Sequence, residues 1–577
     1  MQAIFSRSRR ASAPLPVSLS SRTLFLLILA LAVVWFVPLG WRHLVPSDEG
    51  RYAEMAREMF VTGDWITPRY NGYKYFEKPP LQTWANALTF ACFGIGDWQA
   101  RLYTALTGFS GVLLAGYTGA RVFDRATGIA TAVILASSPY WNLLGHFNTL
   151  DMGLSFWMEV TMCGLLLGQR PGLRPAAARG WMCVCWGGMA LAVLSKGLVG
   201  LILPGTALIL YTVVMRDWAL WRRLHFAAGV PVFLVVAVPW FVLVQERNPD
   251  FFHFFFVVQQ FQRYLTPDQH RPGPIYYFVP ILLIGFLPWL SLVAGTVRGR
   301  GVGIADGVAR AKGVKGGFAP VALLAVWAIF IFVFFSVSHS KLVSYILPIA
   351  PALALLLGRT LATRSPAQWR RMLLAYLVVS VVLGIATGRL AHLGSGNTPN
   401  ALYRAFQPWA VAAVAVATLS TLLALWLNRR NTPASIVAFG AGWLLLGTIA
   451  GTGHEVFGRE SSGVLLAPAV DAALARQPAD TPFYAVDRLD HTLPFYTRHT
   501  TIMVHGADEL AFGVHAEPAR WIPAIDGWIA QWQSRRHALA LMSPGTYDVM
   551  RARGVPMRVV ARDARRVVVE KPADGGD

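Results

Sequence analysis

The stretch "PLQTWANALTFACFGIG", residues 80–96, is apolar enough to suggest a membrane crossing, and whether it crosses decides the sidedness of every loop after it. The chain around it has 577 residues, 55% of them hydrophobic and 14% charged. Thirteen other apolar runs lie at 24–41, 101–120, 126–144, 148–168, 181–198, 199–215, 226–246, 274–296, 319–337, 342–361, 372–391, 408–427 and 434–454. Runs of about 17–23 apolar residues match the hydrocarbon thickness of a bilayer, so the chain reads as an α-helical polytopic membrane protein. If 80–96 crossed as well, Arg121 and Arg125, Arg170 and Arg174, Arg222 and Arg223, and the loop with Arg298, Arg300, Lys312 and Lys315 would share a side with Asp48. They would then face away from the arginine-rich N-terminus, against the positive-inside rule. Removing 80–96 repairs all of these loops together. The segment follows Pro79 and Pro80 and carries Gln82, Asn86 and Gly94, so it reads as a helix lying at the interface.

About 13 spans then put the N-terminus inside and the last 120 or so residues outside, with Arg429 and Arg430 correctly inside. The net charge of +21 follows from topology, because the Lys and Arg are dispersed between apolar runs and no basic, aromatic-studded domain accompanies them. A nucleic-acid partner is excluded on that ground. Cys92, Cys163, Cys183 and Cys185 all lie in apolar segments, which argues against a disulfide framework or a cysteine zinc site. The run 24–41 is long enough to span and lacks a small-residue cleavage signal after it, so it is expected to remain as the first span. Residues 1–455 form the membrane domain, with a first outer loop at 42–100, and residues 456–577 a soluble α/β domain. Strand-like "PFYAV", "TIMV", "HALALM" and "RRVVVE" alternate there with helical stretches.

The span count was set by loop charges alone, yet it gathers a particular set of polar residues on the outer rim. Asp48, Glu49, Arg51 and Tyr52 of "PSDEGRYAEMAREM" follow the first span, and Glu77 and Lys78 of "YFEKPPL" lie in the same loop. Asp151 opens a span, Lys196 closes one, Arg263 and His270 occupy the 247–273 loop, and His339, Lys341 and Tyr345 come from "SHSKLVSYILP". Each alone has an ordinary reading: helix capping for Asp48 and Asp151, snorkelling for Lys196, a plain loop charge for Lys341. Together, cations that can neutralise a phosphate and carboxylates suited to acid–base work or amine recognition describe a lipid-phosphate substrate. A divalent cation is not required by this arrangement; if one binds, Glu77 and His253 are the pair that could hold it, although no metal-site spacing supports them.

These motifs, with "LSKGLVGLILP", "FFHFFFVVQQFQRYL" and "HRPGPIYYFVPILLIGFLPW", resemble the polyprenyl-phosphate-sugar glycosyltransferases of the GT-C class, and within it the family that moves 4-amino-4-deoxy-L-arabinose onto lipid A. The resemblance implies the GT-C fold, an undecaprenyl phosphate-linked sugar donor, a lipid A acceptor, and a place in the bacterial inner membrane with the active site facing the periplasm. Carried over by motif position, Asp48 and Lys78 are the catalytic candidates. Arg51, Tyr52, Glu77, Asp151, Lys196, Arg263, Lys341 and Tyr345 are the substrate-binding ones. A sibling transferase acting on a protein hydroxyl or another envelope glycan is the nearest alternative. A lipid transporter or flippase is disfavoured, because no repeated halves are visible and the charges crowd one rim.

Overall fold

The apolar runs that the loop charges count as spans are helical throughout the computed structural model, which describes residues 20–262, 272–299, 304–305, 308, 317–395 and 398–572. Among the described residues nine helices are long and apolar enough to cross a bilayer unaided, from Ser21–Gly40 to Thr432–Ser461. A tenth candidate is a bent pair, Phe278–Gly285 and Leu287–Arg298, turned by 88° at Phe286. The other three expected spans are Arg125–Ser137 and Val199–Met215, which are apolar but short, and Asp97–Val122, which is long but less apolar. That last helix gives up hydropathy for close packing. Its buried face carries Thr104, Thr107, Gly108, Gly111, Thr118 and Gly119, and a Cβ on Gly108 would come within 2.9 Å of the Trp35 ring. Small residues of this kind let helices approach where lipid supplies no hydrophobic drive.

The helix Leu81–Phe93 has 13 residues, roughly 20 Å at 1.5 Å per residue and short of a bilayer's core. It buries Gln82, Thr83, Asn86 and Thr89 against the protein instead. The helices Leu150–Gly168 and Val343–Ala362 form the mostly buried centre, whereas Ser21–Gly40, Phe226–Arg247, Pro366–His392 and Asn400–Leu427 turn apolar faces outward. Val378, Val381, Val382 and Ile385 are more than half exposed, a face that water would penalise and acyl chains accept. Buried tryptophans tie the bundle: Trp35 donates to the Ala105 carbonyl at 2.9 Å, Trp141 to that of Gly108 at 2.9 Å, and Trp369 to Ser435 Oγ at 2.9 Å.

The first outer loop folds as the helix Asp48–Thr62 followed by a hairpin, β1 (Arg69–Tyr70) and β2 (Tyr73–Lys74). Asn71 and Gly72 both take positive φ at its turn, the backbone that an Asn-Gly pair favours and that suits strand twist. The C-terminal domain is a six-stranded sheet in the order β5-β4-β3-β6-β8-β7. Strands β3 (Phe483–Val486), β4 (Ile502–Val504), β5 (Trp521–Ile522) and β6 (Leu539–Met542) run parallel, and β7 (Arg558–Arg562) and β8 (Val567–Glu570) close it antiparallel. Fully buried strands of this kind read as continuous apolar runs, which is why "FYAV", "LALM" and "VVVE" were legible and the two-residue β5 and the exposed β7 were not. Trp528 and Trp532 pack on one face of the sheet, Val470 and Leu493 on the other.

Candidate functional site

Two adjacent carboxylates start the helix Asp48–Thr62 and meet opposite fates. Glu49 points inward and is 1% exposed. Arg101 grips it with Nε on Oε1 at 2.7 Å and Nη2 on Oε2 at 2.8 Å, while the backbone N–H groups of Asn148 and Val45 add bonds at 3.0 and 3.1 Å. Burial by itself would push this carboxyl up; the Arg101 guanidinium and these donors outweigh it and hold Glu49 down at about 2. Arg101 also donates to the carbonyls of Leu39 at 3.1 Å and His43 at 2.9 Å. Glu49 is therefore a permanently charged lock joining the first span's exit to two other helices. Asp48 keeps its side chain 40% exposed and is approached by Arg51 Nη2 at 3.4 Å. Ser47, at the N-cap, makes no side-chain capping bond.

A second pair forms where two spans end. Asp151 lies in the first turn of Leu150–Gly168 and Lys196 is the last residue of Pro175–Lys196. The Lys196 ammonium bonds to Asp151 Oδ1 and sits 4.7 Å from the centre of the Tyr345 ring, while Ser344 donates to Asp151 Oδ2 at 2.8 Å. The Asp48 carboxylate is among the charges acting on Lys196, so the two pairs share one field. The structure thus brings together Asp48, Arg51, Asp151, Lys196 and Tyr345 from four separate segments. Glu77 and Lys78 are half-buried beside them in the sequence of the same loop.

The remaining candidates are engaged differently. Lys341 was expected at the cavity, but its ammonium is spent on the carbonyls of Phe335, Ser336 and Ser338 at 3.3, 2.7 and 2.8 Å. It caps the C-terminal end of the span Pro320–Val337, where a cation completes the unpaired carbonyls. Tyr52 is also withdrawn from solvent, buried with Met55, Tyr70, Tyr73, Tyr75 and Leu150. Arg263 and His270 lie outside the described residues. His253 is exposed, and among the described residues no three His, Cys, Asp or Glu side chains gather as a metal would need. Glu77 and His253 alone do not form a ligand set.

Residues 20–255 match the dolichyl-phosphate-mannose-protein mannosyltransferase family, and residues 466–571 the aminoarabinose transferase C-terminal domain family. The crystal structure of ArnT from Cupriavidus metallidurans bound to undecaprenyl phosphate is 43% identical, with a TM-score of 0.89 over 97% of this chain and 100% of that one. The chain belongs to the ArnT family. A curated relative from Edwardsiella ictaluri, an undecaprenyl phosphate-alpha-4-amino-4-deoxy-L-arabinose arabinosyl transferase, is 31% identical over 340 residues, 58% of each chain. The alignment therefore spans somewhat over half of that relative's length. An archaeal oligosaccharyltransferase from Archaeoglobus fulgidus, 14% identical with a TM-score of 0.51 over 90% of this chain and 70% of that one, shares the GT-C fold.

What sequence reasoning missed is the part that this ArnT-family C-terminal domain plays at the rim. Arg51, one turn from Asp48, is bonded by Glu509 Oε1 of that domain at 2.7 Å and donates to Tyr75 Oη at 3.4 Å. The hairpin tip enters the same domain: Asn71 Nδ2 donates to Thr501 Oγ1 at 2.9 Å, and Asn71 Oδ1 accepts from the Thr501 N–H at 2.6 Å. Tyr73 Oη donates to the Arg520 carbonyl and accepts from the Met503 N–H at 3.1 Å, and Arg69 pairs with Glu517 at 3.0 Å. Tyr70 Oη meets His491 Nδ1 at 2.8 Å, and burial with the Arg51 charge holds His491 down at about 4, hence neutral. The one available signal was the Asn-Gly turn in "YNGY"; the partners, more than 400 residues away, leave no local trace.

Proposed function

We propose that this protein transfers 4-amino-4-deoxy-L-arabinose from undecaprenyl phosphate to a lipid A phosphate, at the periplasmic face of the bacterial inner membrane. Such a modification removes negative charge from the outer surface and so confers resistance to polymyxin and other cationic peptides. The observation that carries the reading is the end-to-end likeness to an undecaprenyl phosphate-bound ArnT, together with a rim whose acids and cations converge from four separate segments.

In the reaction, an acceptor phosphate oxygen attacks the sugar's anomeric carbon, and the bond to the undecaprenyl phosphate oxygen breaks with its electron pair staying on the phosphate. The developing charge on that leaving group is what fixed cations can stabilise more in the transition state than before it. Lys78, Lys196 and Arg51 supply those cations, with Asp151 and Ser344 orienting the Lys196 ammonium and Glu509 orienting the Arg51 guanidinium. A phosphomonoester's second pKa is near 6, so the nucleophile is already largely ionised at neutral pH. Asp48 then serves to hold the sugar's ammonium group or aim the anionic acceptor. For a hydroxyl acceptor it would be the general base. No step is routed through a metal. Apolar grooves between the lipid-facing helices receive the polyprenyl and acyl chains.

The test is lipid A mass spectrometry of a polymyxin-sensitive Gram-negative strain lacking its own transferase, complemented with this gene or its Asp48→Asn variant. The wild type is expected to add an aminoarabinose mass, and the equally abundant variant to lose the product by about 100-fold or more. Unmodified lipid A beside abundant, inserted wild-type protein would overturn the acceptor assignment and favour a sibling transferase.

A further inference from the structure

The helix Val343–Ala362 carries Tyr345 at the outer rim, and 19 residues later, roughly 28 Å at 1.5 Å per residue, Arg364 follows its end at the other end of the bundle. There a cleft of about 530 Å³ opens between the last turn of Leu287–Arg298 and the first turns of Pro366–Thr387. Arg298, Arg364 and Arg371 line it, with Met372 and Gly295, and among the described residues no Asp or Glu does. None of the three arginines makes an ion pair with a described residue, and Arg364 Nε is buried without a hydrogen-bond partner.

The cleft is built, not incidental. Gly295 leaves room for the Arg364 guanidinium, because a Cβ there would overlap Nη2. Thr296 and Thr360 clamp the two helices beside it through a 2.9 Å hydroxyl contact. The Pro366–Thr387 helix starts at the cleft behind a Ser365–Gln368 capping box, so its positive dipole end adds to the field. Three guanidiniums gathered with no acid among the described lining residues repel one another, and what relieves that arrangement is an anion with several acceptor oxygens. Basic pockets between spans at headgroup depth suit a phosphate-bearing lipid.

From this juxtaposition of Arg298, Arg364 and Arg371 around a cleft with no acid among its described lining residues, we infer that the end of the bundle opposite the transfer site binds a phosphate group, carried by an anionic phospholipid. Topology alone would also place arginines at this end, and Arg429, whose neighbour Asn428 bonds to the Pro366 carbonyl at 2.9 Å, is the matched control because it does not line the cleft.

The experiment uses the full-length protein in neutral detergent at low ionic strength, as wild type, Arg364→Gln, Arg371→Gln, the double variant and Arg429→Gln. Thermal melting is followed against phosphatidylglycerol, phosphatidylcholine and, at matched ionic strength, inorganic phosphate; native mass spectrometry counts retained lipid. Phosphatidylglycerol is expected to raise the wild-type melting temperature saturably and phosphatidylcholine not. Each cleft arginine removed should raise the half-saturating concentration about fivefold, with Arg429→Gln unchanged. If inorganic phosphate stabilises the wild type as well as the lipid does, with the same dependence on Arg364 and Arg371, the phosphate site stands and its ligand is the free anion. If the double variant responds and retains lipid like Arg429→Gln, the inference fails. Baseline melting of each variant without additive separates misfolding from lost binding.

Discussion

Glu49 and Asp48 are neighbours in the chain, yet one is buried in the frame and the other keeps 40% of its side chain exposed. The Glu49–Arg101 pair is 1% exposed on both sides, with backbone donors and acceptors filling the remaining positions. Asp48 has one arginine at 3.4 Å and open space. A buried charge is tolerated where its hydrogen bonds are saturated, and it is then unable to do anything else. A charge left partly satisfied keeps capacity for a substrate. Asp151 and Lys196 lie between these limits: they are nearly buried, but Lys196 is paired through one carboxylate oxygen and faces the Tyr345 ring.

The largest effect separating the two classes is expected at Arg101. Arg101→Ala leaves Glu49 a buried carboxylate with only Arg42, at 4.0 Å, to offset its charge, and should cost about 3–5 kcal/mol, seen as loss of the monodisperse folded peak in size-exclusion chromatography. A folded, active Arg101→Ala protein would break the distinction. Next comes Lys196→Met, which keeps the stem and removes the charge. Transfer to lipid A should fall about 100-fold or more while the yield of folded protein stays near wild type. Loss of fold in step with activity would move Lys196 to the frame.

The smallest effect concerns Glu58, on the same helix, which is buried beside Glu54 and accepts from the Gly72 N–H at 2.8 Å. Burial, then the Glu54 charge, raises its carboxyl to about 8. Because the folded state holds this proton more tightly than the unfolded chain, the group's contribution is full below about 4.5 and is lost as pH rises through about 8. Glu58→Gln mimics the protonated form and keeps the acceptor, so its melting temperature should match wild type near pH 4 and exceed it at pH 9. Equal melting at both values would show that Glu58 is ionised in the folded protein.

Much of the fold could be read from the chain because the information is local. The many-helix membrane architecture, the short 80–96 helix and four of the six C-terminal strands follow from run length, loop charge and apolar blocks; among the described residues nine of the thirteen expected spans are long and apolar enough to cross unaided, with a bent pair as a tenth. The site was legible as a set of rim residues, and less so as individual roles. Lys341 looked like Lys196, a lysine at the outer end of a span, and only the three carbonyls around its ammonium distinguish a helix cap from a site cation. Tyr52 looked accessible one position after Arg51 because nothing in "GRYAE" records that the C-terminal domain covers it.

By itself the sequence determined that the chain is a many-helix membrane protein with a C-terminal α/β domain, and it set the expected side of each loop and the acids and cations expected on one rim. Those properties are sums over neighbouring residues, governed by transfer from water to hydrocarbon and by loop charge. Tertiary structure decided which charge meets which: Glu49 with Arg101 across 52 positions and Arg51 with Glu509 across 458. Pairing depends on which groups are stripped of water and what stands within 3 Å of them once they are, and that is a property of segments brought together from distant parts of the chain.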